Sequence, residues 1–195
     1  METIVLARHG ETPMNAEGLL RGLADPDLSE HGRLQAALLA DEVTARFDVR
    51  LVASTPLQRA RHTAQAVAAR IGTEVQVDTA LNDRDYGPWT GKPRAAVIAQ
   101  WGTLDDAPGV EATAAVIARA CPALDIWADR AAAVGGVAVV VTHDAVIRPL
   151  LAHIDSAITD ASVPTGSYQV LQRDCGRWQI IELDRIPSVR PRGGR

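Results

Sequence analysis

Two periodicities alternate along the chain. Residues 3–7 (TIVLA) form a continuous apolar run, the pattern of a strand buried on both faces. Over 30–47, behind Ser29 as a cap, Leu34/Leu38 and Leu39/Val43/Phe47 recur at i, i+4 and predict an amphipathic helix. Residues 50–53 (RLVA) read as a short strand. Thr55-Pro56 then opens a second helix, in which Leu57, Ala60, Ala64, Val67 and Ile71 keep a 3-4-3-4 spacing until Gly72 ends it. Residues 74–77 (EVQV) predict a third strand, and 82–93 a polar, glycine-rich loop. Helical patterns cover 94–101 and 110–134, the second interrupted or kinked at Pro122. Residues 137–142 (VAVVVT) are the strongest strand, followed by a helix over 144–153. Strands at 168–173 and 177–183 flank Asp174-Cys175-Gly176, a hairpin with a three-residue turn.

Strands separated by helices predict an α/β fold. The expected architecture is a three-layer α/β/α arrangement with a mainly parallel central sheet and a C-terminal antiparallel hairpin. The length of 195 residues fits one domain, expected over 1–185 with a lid-like region at about 82–110. The segment 186–195 (IPSVRPRGGR) has no period and predicts an unstructured tail.

With 47% hydrophobic and 23% charged residues, the chain is neither a disordered nor a coiled-coil sequence. Its net charge of −4 hides an asymmetry: Arg185–Arg195 carries four arginines and no acid, so the preceding body holds 16 basic and 24 acidic groups. An acidic body argues against nucleic acid or an anionic membrane as partner. Nineteen of the twenty basic residues are arginine, a bias that reads as genome composition and deprives arginine counts of functional meaning. Cys121 and Cys175 match no metal or redox spacing and predict free thiols in a reducing cytosol. The opening METIVLARHGE reads as a strand rather than a leader, and no window approaches a membrane span, so a cytoplasmic protein is expected.

In an open parallel sheet, ligands bind beyond the carboxyl ends of the strands. The first strand runs into Arg8-His9-Gly10, the strongest into Thr142-His143-Asp144, and the strand at 50–53 leads to the helix carrying Arg59. Two histidines and two arginines thus converge on one edge. Arg59 lies in a first helical turn, where the helix dipole disfavours a cation by a few tenths to about 1 kcal/mol. A bound anion reverses that sign; solvent or an aspartate partner is the plainer alternative.

Four blocks appear in order: Arg8-His9-Gly10-Glu11-Thr12 with Asn15; Ser54-Thr55-Pro56-Leu57-Gln58-Arg59-Ala60-Arg61-His62-Thr63-Ala64; Leu81-Asn82-Asp83-Arg84-Asp85-Tyr86-Gly87-Pro88-Trp89-Thr90-Gly91; and Val141-Thr142-His143-Asp144. Together they resemble the histidine phosphatase (phosphoglycerate mutase-like) superfamily. The resemblance implies that His9 is the nucleophile that takes up a phosphoryl group. It implies that Arg8, Arg59 and His143 complete the phosphate pocket, with Asn15 close by. Arg21-Gly22 occupies a loop that faces the phosphate in relatives, which makes Arg21 a candidate substrate contact. A neutral imidazole is nucleophilic near pH 7, and the Gly10 carbonyl could fix its tautomer. Two guanidiniums and a protonated His143 would stabilise the transferring group, with no metal or other cofactor implied.

One departure matters. The family's usual general acid is a glutamate, and Asp83 occupies its place. Three readings compete: Asp83 serves, with a shifted backbone; Asp144 serves instead, as in the superfamily branch with an aspartate after the second histidine; or the enzyme is slow, or takes substrates with good leaving groups. Asp83 is favoured because its block is intact, and Asp144 also reads simply as a helix cap. His31, His62 and His153 read as structural or solvated, Trp89, Trp101, Trp127 and Trp178 as core or lid residues. Arg84 and Arg148 read either as contacts to a substrate carboxylate or as partners of Asp83 or Asp85.

The expected function is a metal-independent phosphomonoesterase acting on a small soluble phosphorylated metabolite. A phosphoglycerate mutase is the alternative, disfavoured because only Lys92 and Arg94 are basic among the 18 residues between Gly91 and Val110. A non-catalytic phospholigand-binding module is the alternative of another class. Substrate identity and oligomeric state are not legible.

Overall fold

The computed structural model describes residues 1–188. Six strands, β1 (Glu2–Arg8), β2 (Val49–Ser54), β3 (Val75–Val77), β4 (Val137–Thr142), β5 (Tyr168–Asp174) and β6 (Arg177–Arg185), form one sheet in the order β3-β2-β4-β1-β5-β6. The first four are mutually parallel, and β5 and β6 run antiparallel at one side. Six α-helices accompany them: α1 (Pro13–Ala16), α2 (Glu30–Arg46), α3 (Gln58–Ile71), α4 (Arg94–Trp101), α5 (Thr113–Ala133) and α6 (Asp144–Ile154). Short 3-10 turns occupy Thr79–Leu81 and Gly87–Trp89.

The central strands are apolar throughout because both faces are covered. Ile4, Leu6, Ala138 and Val140 point into a core shared with α5 and α6. Val5, Ala7, Val139 and Val141 point into the opposite core, made with α2 and α3. This is the expected three-layer α/β/α arrangement. The chain leaves β1 through α2 on one face and leaves β4 through α6 on the other. The two neighbouring strands therefore send their connections in opposite directions, which opens a crevice at their carboxyl ends.

Several local expectations need correction. Leu34 is exposed, and α2 buries Gly32, Ala36, Leu39, Ala40 and Val43 instead. Helix α3 starts at Gln58 rather than at Pro56, with Leu57 at its N-cap position, and the Thr55 hydroxyl pairs with His143 instead of capping it. Helix α5 is one helix from Thr113 to Ala133 with Pro122 inside it, so of the two expected effects the interruption does not occur. The hairpin turn has two residues: Asp174 pairs with Arg177, and Cys175 and Gly176 take φ of 47° and 76°, a type I′ turn whose twist matches that of the strands. The segment 82–110 is ordered around its own small cluster, in which Leu20, Tyr86, Val97 and Ala107 are buried against Trp89 and Trp101. Ile186, Pro187 and Ser188 lie outside regular elements. Of the tail expected to be unstructured, residues 189–195 lie outside the described residues.

Candidate active site

Strands β1 and β4 are in register with Arg8 opposite Thr142, so His9 and His143 leave the sheet side by side. Their ring centroids are 5.0 Å apart, and neither side chain is exposed. The backbone after β1 is pinned from two directions. Gly10 donates its N–H to Thr63 Oγ1 on α3 at 3.0 Å, and Glu11 donates its N–H to Gln35 Oε1 on α2 at 2.8 Å. The loop packs so tightly on the start of α2 that a Cβ on Gly10 would lie 2.3 Å from the Gly32 carbonyl oxygen. Glu11 accepts from Ser29 Oγ, the helix cap, at 2.8 Å. Its carboxylate therefore holds the cap residue of α2 and reaches no arginine among the described residues.

His9 Nδ1 lies 2.6 Å from the Gly10 carbonyl oxygen. A carbonyl only accepts, so Nδ1 carries the proton and Nε2 keeps its lone pair. Burial, then the charges of Arg59, Arg8 and Arg21, hold the His9 imidazole well below the ordinary histidine range, which keeps it neutral and nucleophilic near pH 7.

Three guanidiniums surround it. Arg59 Nη2 donates to Gly22 O and Asp83 Oδ2, both at 2.8 Å, and Nη1 donates to Ala24 O at 2.7 Å. Arg8 Nη1 donates to Val163 O at 2.7 Å, and its Nη2 is 3.4 Å from Asp144 Oδ1. Arg21, buried like the others, donates Nη2 to the same Asp144 oxygen at 2.8 Å. The Nε atoms of Arg8, Arg21 and Arg59, together with His9 Nε2 and His143 Nδ1, are buried with no hydrogen-bond partner among the described residues. Buried polar atoms normally find partners, so three guanidinium Nε–H donors left without one point to an anionic ligand.

The two candidate acids differ in environment. Asp83 is fully buried, 2.8 Å from Arg59 and 3.5 Å from His143 Nδ1. Burial raises its carboxyl above the ordinary range against the pull of Arg59 and Arg21. At Asp144 burial also acts to raise, but Arg8, Arg21 and Arg148 prevail and hold its carboxyl below the ordinary range. Asp83 is thus the more readily protonated of the two carboxyls, and Asp144 the more readily ionised. His143 Nε2 pairs with Thr55 Oγ1 at 3.0 Å. Burial and Arg59 hold its imidazole well below the usual range, so this pocket favours a neutral His143 where the sequence suggested a protonated one.

Asn15 lies at the third position of α1, where its Oδ1 accepts from Thr12 N at 3.0 Å and Thr12 Oγ1 at 2.9 Å. That capping box leaves its Nδ2 for other contacts. Arg84 pairs with Asp105, not with Asp83 or Asp85, and Arg148 donates to the carbonyls of Ala161 and Ser162. His62 pairs with Asp27 at 2.6 Å, while His31 and His153 are exposed. Thr55, Thr63 and Arg119 were not singled out from sequence. Their roles rest on contacts made across 88, 53 and about 36–39 residues, which no local pattern signals. Among the described residues no group of three or more His, Cys, Asp or Glu side chains could hold a metal ion, and no helix is long and apolar enough to cross a membrane.

The family model described as the histidine phosphatase superfamily (branch 1) matches residues 4–185. A glucosyl-3-phosphoglycerate phosphatase of Mycolicibacterium vanbaalenii is 41% identical over 96 residues, covering 49% of this chain and 42% of that protein. A 2,3-bisphosphoglycerate-dependent phosphoglycerate mutase of Bartonella tribocorum is 37% identical over 106 residues, covering 51% and 50%. The chain thus spans half or less of the length of these curated relatives. Among solved structures, the mycobacterial glucosyl-3-phosphoglycerate phosphatase in complex with VO3 superposes with a TM-score of 0.81 at 27% identity, covering 94% of this chain and 99% of that one.

Proposed function

The chain belongs to the histidine phosphatase superfamily, and from that premise we propose that it is a phosphomonoesterase that works through a phosphohistidine on His9. The observation that carries this reading is the ring of buried, unpartnered nitrogens around His9 Nε2. Arg8, Arg21 and Arg59 supply the charge that phosphoryl transfer needs on its equatorial oxygens. Asn15 Nδ2 and His143 add neutral contacts.

In the first step His9 Nε2 attacks phosphorus while the bond to the leaving oxygen breaks. The Asp83 carboxyl gives its proton to that oxygen, releasing the alcohol. In the second step a water attacks the phosphohistidine, Asp83 takes the water's proton, and the P–N bond breaks to release phosphate. His9 Nδ1–H stays on the Gly10 carbonyl throughout, so the ring carries its added charge without turning. No residue set in the site calls for a metal, and none enters either step. The substrate is a small soluble phosphomonoester, with the segment 82–110 acting as a lid-like wall of the pocket. Hydrolysis in a cytoplasmic setting is the reading, and the acidic composition of residues 1–184 argues against nucleic acid and anionic membrane as partners.

A phosphoglycerate mutase is the second reading, motivated by the relative from Bartonella tribocorum. The two are separated with 3-phosphoglycerate as substrate. Net release of inorganic phosphate is expected, and isomerisation faster than phosphate release overturns the hydrolase. Binding of vanadate without turnover of any phosphomonoester overturns catalysis altogether and leaves a phospholigand-binding module.

A further inference from the structure

An aspartate has one methylene between backbone and carboxyl, so the position of the Asp83 carboxyl is dictated by its backbone. That backbone lies in the segment 80–85, which has no strand or α-helix of its own. It is held from outside. Arg119, on α5, donates Nη1 to Ala80 O at 2.8 Å and to Asn82 O at 2.7 Å, and Nη2 to Asp83 O at 3.2 Å. Glu111 holds the same guanidinium with both carboxylate oxygens, at 2.8 and 3.0 Å. Glu111 also reaches the segment directly. Its N–H donates to Asp85 O at 2.8 Å, its Oε2 accepts from Asp85 N at 3.2 Å, and its carbonyl accepts from Arg84 Nε at 2.6 Å.

Five of the six residues from 80 to 85 are therefore bonded to one member of this ion pair. The remaining one, Leu81, is tied by its carbonyl to Thr142 Oγ1 at 2.7 Å, one residue before His143. The acid and the histidine beside it share a frame although 60 residues separate them in the chain. Only a planar fork with five donors can serve three carbonyls and a carboxylate at once.

We propose that the Arg119–Glu111 pair is the positioning device of the general acid, fixing the Asp83 backbone so that its carboxyl stays within reach of the leaving oxygen. The pair has no hydrogen bond to Arg8, His9, Arg59 or His143 among the described residues and is argued to act through Asp83, so the proposal rests on Asp83 being the acid. Its mark is selective: losing it should slow the step that needs proton donation and spare the steps that do not. Aryl phosphates, whose leaving groups depart with little protonation, are the insensitive reference.

The experiment compares Arg119→Lys and Glu111→Gln with the unchanged protein on glycerol phosphate and p-nitrophenyl phosphate. A loss of about 10- to 100-fold in kcat is expected on the alkyl ester, the range for a misplaced catalytic group. A much smaller loss is expected on the aryl ester, with unchanged inhibition by vanadate. Equal losses on both esters mean a merely structural role and overturn the proposal, as does the absence of any loss. Should Arg119→Lys fold poorly, Glu111→Gln, which keeps the backbone bonds and the guanidinium, gives the same readout. Asp83→Asn is measured beside them. An alkyl-selective loss there, without one in the pair, overturns the clamp and leaves the acid in place. No alkyl-selective loss in Asp83→Asn overturns the acid assignment and the clamp with it.

Discussion

Arg59 Nη2 and Asp83 Oδ2 meet at 2.8 Å, and neither side chain exposes any surface. A pair so placed is costly to break from either side, because the survivor stays buried without its counter-charge. Arg59→Ala also frees the Gly22 and Ala24 carbonyls. It is expected to destabilise the protein by about 3–5 kcal/mol in urea unfolding. A loss below about 1 kcal/mol would mean that Asp83 carries its proton in the resting pocket so completely that the pair is not ionic.

Asp83→Asn and Asp144→Asn should part company by leaving group. The first removes the proton donor and lowers activity most on alkyl phosphates. The second releases Arg8 and Arg21 from their shared carboxylate and changes KM, with the ratio of alkyl to aryl activity preserved. Kinetics on the two ester classes read both, and the opposite pattern would transfer the acid role to Asp144.

His9→Ala should abolish turnover together with the acid-labile phosphoenzyme trapped by quenching. Activity surviving in that variant would place the nucleophile elsewhere.

Stability should fall as the solution is acidified. Both imidazoles are held below their ordinary value of about 6.5 in the fold, so below that pH the unfolded chain binds protons that the folded one refuses. Each histidine then withdraws up to about 1.4 kcal/mol per pH unit. The sign is that stability is full above pH about 6.5 and declines beneath it. Denaturant unfolding between pH 7 and 5 measures the slope, and His143→Gln should make it shallower; an unaltered slope contradicts the assignment.

Gly32→Ala should be among the worst tolerated small substitutions. The added Cβ would stand 2.0 Å from the Glu11 carbonyl oxygen, and the contact is backbone on both sides, so no side chain can yield. A loss of at least about 1–3 kcal/mol is expected in denaturant unfolding, with kcat falling because the His9 loop must shift.

What could be read from the sequence is what lies at the end of a strand. Arg8, His9 and His143 follow apolar runs whose buried character is unmistakable, so the strands announce both the sheet and the residues delivered to its edge. Arg59 was legible from its place near a helix start. The rest is set by groups far away in the chain. Thr55 looks like a helix cap until His143 claims its hydroxyl. Leu34 looks like a core residue, yet α2 presents small residues so that its start can approach the His9 loop. Arg21 stands out in the sequence only through the family resemblance, and its place beside Arg8 is set by their shared partner Asp144. Arg119 sits in an alanine-rich helix with nothing local to distinguish it. The turn at Cys175-Gly176 is one residue shorter than the local pattern suggests, because pairing of Asp174 with Arg177 depends on the partner strand.

The small cluster of Leu20, Tyr86, Val97 and Ala107 has its own interior, separate from the two cores that hold the sheet, and meets the rest partly through Ala145 on α6. On the proposed function, chemistry and recognition rest on separate interiors. Arg8, His9, Arg59 and His143 lie at the ends of β1 and β4 and the start of α3. The wall rests on the smaller cluster and can be repacked without moving them.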